Sequence, residues 1–181
     1  SVVFPGQGSQ KIGMAREFFD KFELVKKIYK DADNLLELPI SKIIFEGPDD
    51  QLNLTENTQP AIFLTSYVIF TVAKREFGFN FDKANFIAGH SLGEYSALCC
   101  YDGLKFEDTL KILKKRGKSM QDAVSTDEGS MLAVLGSDLK VIENVLKTNN
   151  RECYIANDNS PQQVVLSGLK RSIDLFSEDL N

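Results

Sequence analysis

The chain has 181 residues, 43% of them hydrophobic and 26% charged, with a net charge of −5 at pH 7. That balance fits a soluble globular protein of one domain, or of a domain with a small partner. It excludes the basic footprint of a nucleic-acid binder. The longest nearly uncharged run, Gln51 to Ala73, has an apolar part of only Ala61–Ala73, too short for a membrane span.

The three cysteines, Cys99, Cys100 and Cys153, form no C-x-x-C pair, so reduced thiols inside a cell are expected and a metal site is not. The chain opens on Ser1 without a Met, and a short strand and a glycine loop follow at once. No signal peptide is therefore expected.

Val2-Val3-Phe4 reads as a short apolar strand, and Pro5-Gly6-Gln7-Gly8-Ser9-Gln10 as a glycine loop leaving its end. Two phosphate-binding patterns fail here. The third glycine of a dinucleotide fingerprint would fall at Lys11, and Gly8-x-x-x-x-Gly13 is followed by Met14-Ala15 where a P-loop needs Lys-Ser/Thr. Phe22 to Leu36 carries apolar residues at helical spacing, Phe22, Val25, Ile28, Tyr29, Ala32, Leu35 and Leu36, which predicts a packing helix. Gly47-Pro48-Asp49-Asp50 predicts a turn. Thr58-Gln59-Pro60 then opens a long helix, with proline suited to its first turn. That helix is apolar almost all round, which places it at the centre of a domain. Gln59 at its start is either a cap neighbour or a polar group facing a site.

Phe86-Ile87-Ala88 is the next strand, and Gly89-His90-Ser91-Leu92-Gly93 follows it and enters a helix through Tyr95, Ala97 and Leu98. Strand, Gly-x-Ser-x-Gly, helix is the order of a nucleophile elbow, a sharp turn that exposes the serine hydroxyl. Side chains at Gly89 and Gly93 would collide with neighbouring backbone. The Leu92 N–H and the positive end of the helix then lie where an oxyanion would form beside Ser91. Tyr101-Asp102-Gly103 breaks this helix, and the next runs from about Phe106 to Gln121 with Phe106, Leu110, Leu113, Gly117 and Met120 on one face. Arg116 lies beside that face. A snorkelling arginine is the plainer reading of it; the sharper one is a clamp that grips a carboxylate with two parallel bonds.

After a loop over Ser125–Gly129, strands are expected at Met131–Leu135, Cys153–Ala156 and Gln163–Ser167, with a turn over Asn157–Pro161. A helix capped by Ser137 precedes the second strand, and the chain is helical from Lys170 onward. The order β-α-β-β-α is the ferredoxin-like unit without its last strand. The two strands expected in residues 1–124, Val2–Phe4 and Phe86–Ala88, are too few to cover the helices there. The expectation is an α/β fold in which a hydrolase-like parallel sheet carries the elbow (residues 1–124). A ferredoxin-like α+β subdomain (125–181) is inserted in it, and a C-terminal part is missing.

A serine hydroxyl is a weak nucleophile until a base takes its proton. The one histidine, His90, adjoins Ser91, and neighbours at a strand end point to opposite sides. His90 is therefore expected behind the elbow, and the base elsewhere.

Four stretches together resemble the malonyl-CoA:acyl-carrier-protein transacylase family. They are Phe4-Pro5-Gly6-Gln7-Gly8-Ser9-Gln10, Gly89-His90-Ser91-Leu92-Gly93-Glu94-Tyr95-Ser96-Ala97, Arg116-Gly117-Lys118-Ser119-Met120-Gln121 and the run from Asn157 to Gly168. The resemblance implies that Ser91 is the acylated nucleophile and that the N–H groups of Gln7 and Leu92 form the oxyanion hole. It also implies that Arg116 holds the malonyl carboxylate and that Gln59 lines the pocket. It places the general-base histidine downstream of Gly168, in a stretch these residues do not include. The activity it implies is ping-pong transfer of malonyl from malonyl-CoA to the phosphopantetheine thiol of acyl carrier protein, in fatty acid biosynthesis, with no metal or other cofactor. A cytoplasmic monomer is the default expectation, with a plastid or mitochondrion as the other setting. The competing readings are a serine esterase or thioesterase-like hydrolase, and a non-catalytic fragment or carrier-protein docking module.

Overall fold

The apolar run expected to be a central helix is one: α5 spans Thr55–Arg75, with Ala61, Ile62, Phe63, Leu64, Val68 and Val72 all buried. It begins earlier than the Thr58-Gln59-Pro60 signal suggests, so Pro60 lies inside the helix and not in its first turn. The start is fixed by side chains that lock its opening turn to the preceding chain. Asn57 Nδ2 donates to the Gln51 carbonyl at 2.9 Å, and Thr58 Oγ1 to the Leu52 carbonyl at 2.6 Å.

The computed structural model describes residues 1–123, 128–149 and 152–179. They divide into two units, Ser1–Gln121 and Asp122–Asn181. Part of the loop expected over Ser125–Gly129 lies outside the described residues.

In the first unit, α1 (Arg16–Lys21) and α2 (Glu23–Leu36) precede α3 (Ile40–Glu46) and α4 (Asp49–Asn53). Nothing in the sequence pattern announces α1 or α3, and Asp49-Asp50, expected in a turn, open α4. Short helices carry too few periods to stand out from their flanks. The stripe Val25, Tyr29 and Ala32 of α2 is fully buried. The helix ends on Glu37 in the left-handed region (φ 50°), with Leu38 N–H donating to Asp33 O and Glu37 N–H to Asn34 O, a Schellman closure. Asp33 also accepts from both the N–H and the hydroxyl of Ser41, satisfying donors at the start of α3. With Ile40, Ile44, Leu52, Leu110 and Leu113, these residues and α5 form the main core. Each fully buried Leu, Ile or Phe contributes about 2 kcal/mol.

Strands β1 (Val2–Phe4) and β2 (Ile87–Gly89) pair in parallel, Val2 with Ile87 and Phe4 with Gly89. A 3₁₀ turn, Phe81–Lys83, precedes β2; α6 (Leu92–Cys100) and α7 (Phe106–Asp122) follow it.

The second unit is β3 (Gly129–Leu135), α8 (Leu139–Asn149), β4 (Cys153–Ser160), β5 (Gln163–Leu169) and α9 (Lys170–Asp179). Its sheet is antiparallel in the order β3-β5-β4. Val134, Ile142, Val164, Leu166, Ile173 and Phe176 fill its core. Two expectations change here. The α8 cap is Asp138, whose Oδ1 accepts from Lys140 N–H at 2.9 Å, and not Ser137. The polar run Asn157–Ser160 continues β4, with register shifts at Ile155/Asn157 and Asp158/Ser160 that absorb the irregularity. Gly168 on β5 is a glycine because a Cβ there would stand 2.7 Å from Cys153 Cα on β4.

Candidate active site

Ser91 stands between β2 and α6 with φ 54° and ψ −113°, a backbone conformation that side-chain-bearing residues rarely adopt. Its surroundings over-determine that shape. His90 N–H donates to Phe4 O at 3.0 Å, Gly93 N–H to His90 O at 2.9 Å and Glu94 N–H to Ser91 O at 3.1 Å. A Cβ on Gly89 would overlap the Gly93–Glu94 backbone, and one on Gly93 would overlap Phe4 O. The two glycines thus let α6 rest directly on the ends of β1 and β2. Although Ser91 occupies the N-cap position, its side chain makes no capping bond. Its Oγ is left for other chemistry.

Arg116 reaches that oxygen. Its Nη2 donates to Ser91 Oγ at 3.1 Å, and its Nη1 donates to Gln59 Oε1 at 2.6 Å. The guanidinium carbon lies 5.8 Å from the centre of the Tyr95 ring, one helical turn beyond Ser91. Gln59 is fully buried, and its Nε2 donates to Met120 Sδ at 3.2 Å. The result is one chain of bonds, Ser91–Arg116–Gln59–Met120, that leads from an exposed hydroxyl through the buried Gln59 amide to a half-exposed thioether.

The register of α7 that makes this possible is set by two contacts with the start of α5. Gly117 packs so closely that a Cβ would lie 2.5 Å from Thr55 O. Lys114 Nζ meets Glu56 Oε2 at 3.1 Å and Asn57 Oδ1 at 3.0 Å. The glycine loop is tied to the same place, with Gln7 Nε2 donating to Thr55 Oγ1 at 3.4 Å and Gln10 Nε2 to Asn53 Oδ1 at 2.8 Å.

Of the five residues singled out in the sequence, the structure therefore joins Ser91, Arg116 and Gln59 directly. Leu92 is the first residue of α6 and buried, so its N–H is among those a helix leaves without an internal partner. Gln7 enters through its neighbour, since Gly6 lies so close to His90 that a Cβ would stand 2.7 Å from His90 O and overlap the imidazole. That packing puts the His90 ring against the glycine loop. Sequence reasoning did not assign Met120 and Tyr95 to the site. Both could have been found by helical spacing, since Met120 is four residues after Arg116 and Tyr95 four after Ser91.

Cys99 and Cys100, on the far turn of α6, are no rivals to the serine. Burial pushes the Cys99 thiol up to about 11 and the Cys100 thiol higher still, so both stay protonated. No cluster of three or more His, Cys, Asp or Glu side chains suited to a metal is present among the described residues. No helix among them is long and apolar enough to cross a membrane.

A serine on a strained strand-to-helix turn, with a guanidinium on its hydroxyl, is suited to holding an acyl group, and comparison with known proteins gives the family. The family model of the acyl transferase domain matches residues 2–181, and the chain belongs to that family. The malonyl CoA-acyl carrier protein transacylase of Bacillus subtilis is 42% identical over 98% of this chain, and that of Haemophilus influenzae 39% identical over 96%. Among solved structures, the acyl-carrier-protein-S-malonyltransferase of Bartonella henselae superposes with a TM-score of 0.91 at 41% identity. The match covers 99% of this chain and 58% of that one. A malonyl-transacylase in complex with a type II polyketide-synthase acyl-carrier protein gives 0.89 at 35% identity, over 98% of this chain and 57% of that one. The chain spans 56% of the length of these two curated relatives.

Proposed function

We propose that the protein carrying this chain transfers a malonyl group from malonyl-CoA to the phosphopantetheine thiol of acyl carrier protein, through an ester on Ser91. The observation that carries the reading is the Arg116 guanidinium, held on Gln59 and placed 3.1 Å from Ser91 Oγ. An acyl group bound to Ser91 would bring a free carboxylate at its far end within reach of that cation. A guanidinium offers such a carboxylate two parallel charge-assisted bonds.

In the first half-reaction Ser91 Oγ attacks the thioester carbonyl while a base takes the hydroxyl proton. The resemblance puts that base outside these residues. The carbonyl oxygen becomes an oxyanion facing the N–H groups of Leu92 and Gln7. The C–S bond then breaks, and coenzyme A leaves as its thiol after taking a proton. In the second half the carrier thiol attacks the Ser91 ester, and the Oγ regains its proton. Each oxyanion donor is worth about 3 kcal/mol in such a site. We place this transfer in the cytoplasm, in fatty acid biosynthesis, the pathway that the family resemblance implies.

A hydrolase of simple apolar esters would need an apolar acyl pocket at the serine. One apolar cavity of the first unit, of about 390 Å³, is lined by residues such as Phe4, Met14, Ile62, Ile69 and Phe70, and not by Ser91 or Arg116.

The test is the intact mass of the full-length protein before and after incubation with malonyl-CoA. A malonyl adduct that disappears in Ser91→Ala supports the reading. Native protein that gains no adduct overturns it.

A further inference from the structure

We infer that Gln59 is a positioning residue that aims Arg116 without neutralising it, and that Met120 fixes which end of the Gln59 amide does so; this rests on the malonyl-transfer reading above. A guanidinium has five donors and no acceptor, so whatever faces it in a buried place must accept. The Gln59 amide can present either its oxygen or its NH₂. Turned the wrong way, it would set donor against donor beside a cation. At its other end lies Met120 Sδ, 3.2 Å from Nε2, an atom that can accept weakly and cannot donate. The sulfur therefore selects the orientation in which Oε1 meets Arg116 Nη1 at 2.6 Å.

The neutrality of the amide matters as much as its aim. A carboxylate at this fully buried position would accept the same bond but would form an ion pair with Arg116. The clamp would then meet an incoming acyl carboxylate with its charge already spent. An amide holds the guanidinium plane and leaves the positive charge for the substrate. Met120 lies one turn after Arg116 on α7, and Gln59 lies one turn into α5. The Gly117–Thr55 contact and the Lys114–Glu56 pair keep the two helices in the register that brings them together.

The experiment compares initial rates with malonyl-CoA and acetyl-CoA as donors in the full-length protein. Native protein, Gln59→Glu, Gln59→Met and Met120→Leu are each checked by thermal melting. The malonyl-to-acetyl ratio of kcat/KM is expected to fall about tenfold in Gln59→Glu, the worth of one charge-assisted bond. The loss should appear mainly in KM for malonyl-CoA. A fall of about threefold is expected in Met120→Leu, where the amide loses its orienting partner. Equal losses for both donors would mean that Gln59 only packs, and would overturn the inference. If Gln59→Glu melts below the assay temperature, the ratio in Gln59→Met decides in the same way. Native protein that transfers no malonyl overturns the functional reading itself; native transfer with an unchanged ratio in the variants overturns only the role of Gln59.

Discussion

Arg116 and Ser91, 25 residues apart, are joined by a 3.1 Å hydrogen bond from guanidinium to hydroxyl. A cation donating to Oγ favours the serine oxygen as it gains negative charge, and in the proposed function the same cation anchors a carboxylate-bearing acyl group. Arg116→Ala should therefore reduce malonyl transfer by on the order of 100-fold, the worth of two charge-assisted bonds. Acetyl transfer should fall far less. The rate of adduct formation on the full-length protein with each donor measures the difference, and equal losses would sink the clamp.

Gly117→Ala should damage both the fold and the site. A Cβ there would stand 2.5 Å from Thr55 O and 2.7 Å from Glu56 Cα, backbone that cannot swing aside. A loss of roughly 1–3 kcal/mol is expected from the forced separation of α7 and α5. Urea denaturation measures it, and a midpoint equal to that of the native protein would show that the helices can part without cost.

Tyr29 is fully buried, and its hydroxyl and Thr65 Oγ1 lie beside each other without a well-formed hydrogen bond between them or to any other group. Tyr29→Phe should accordingly be neutral or stabilising by about 1 kcal/mol at pH 7. At high pH the same residue works against the fold. Burial raises its phenol from 10.0 to about 12, with Thr65 pulling weakly the other way. The unfolded chain thus releases this proton near pH 10 and the folded one near pH 12. Between those values the folded state binds more protons, so stability falls as pH rises, by about 3 kcal/mol across the window. Stability curves from pH 9 to 12 should show a shallower decline in Tyr29→Phe than in the native protein.

Glu37 closes α2 with φ 50°, a region that costs a side-chain-bearing residue roughly 1–2 kcal/mol. Glycine removes that cost but loses more chain entropy on folding. The net expectation for Glu37→Gly is a gain of about 0.5 kcal/mol, read as a higher melting temperature. A lower one would mean that Glu37 makes a compensating contact.

The elbow was legible in the sequence because its constraints are steric and local. Gly89 and Gly93 have no room for a Cβ, and only a strand-turn-helix order makes such glycines necessary. Arg116 was legible as an arginine on the rim of an apolar stripe. The start of α5 was misread because Pro60 mimics a first-turn proline; the bonds from Asn57 and Thr58 to residues six positions earlier overrule that local preference. The polar run Asn157–Ser160 has the composition of a turn, yet pairing with β5 holds it extended. Ser137 and Asp138 are both good caps, and composition alone does not choose between them. Met120 was counted as packing because a thioether acting as a hydrogen-bond acceptor leaves no mark in a hydrophobic pattern.

The opening turns of α5 receive the glycine loop at Thr55, the α7 backbone at Gly117 and the guanidinium at Gln59. These attachments share a few residues at a helix start that the Asn57 and Thr58 bonds lock to the preceding chain. The lifetime of the assembled site is therefore the lifetime of that one short segment. Were it to unwind, the loop beside the serine and the guanidinium on its hydroxyl would come adrift in the same event.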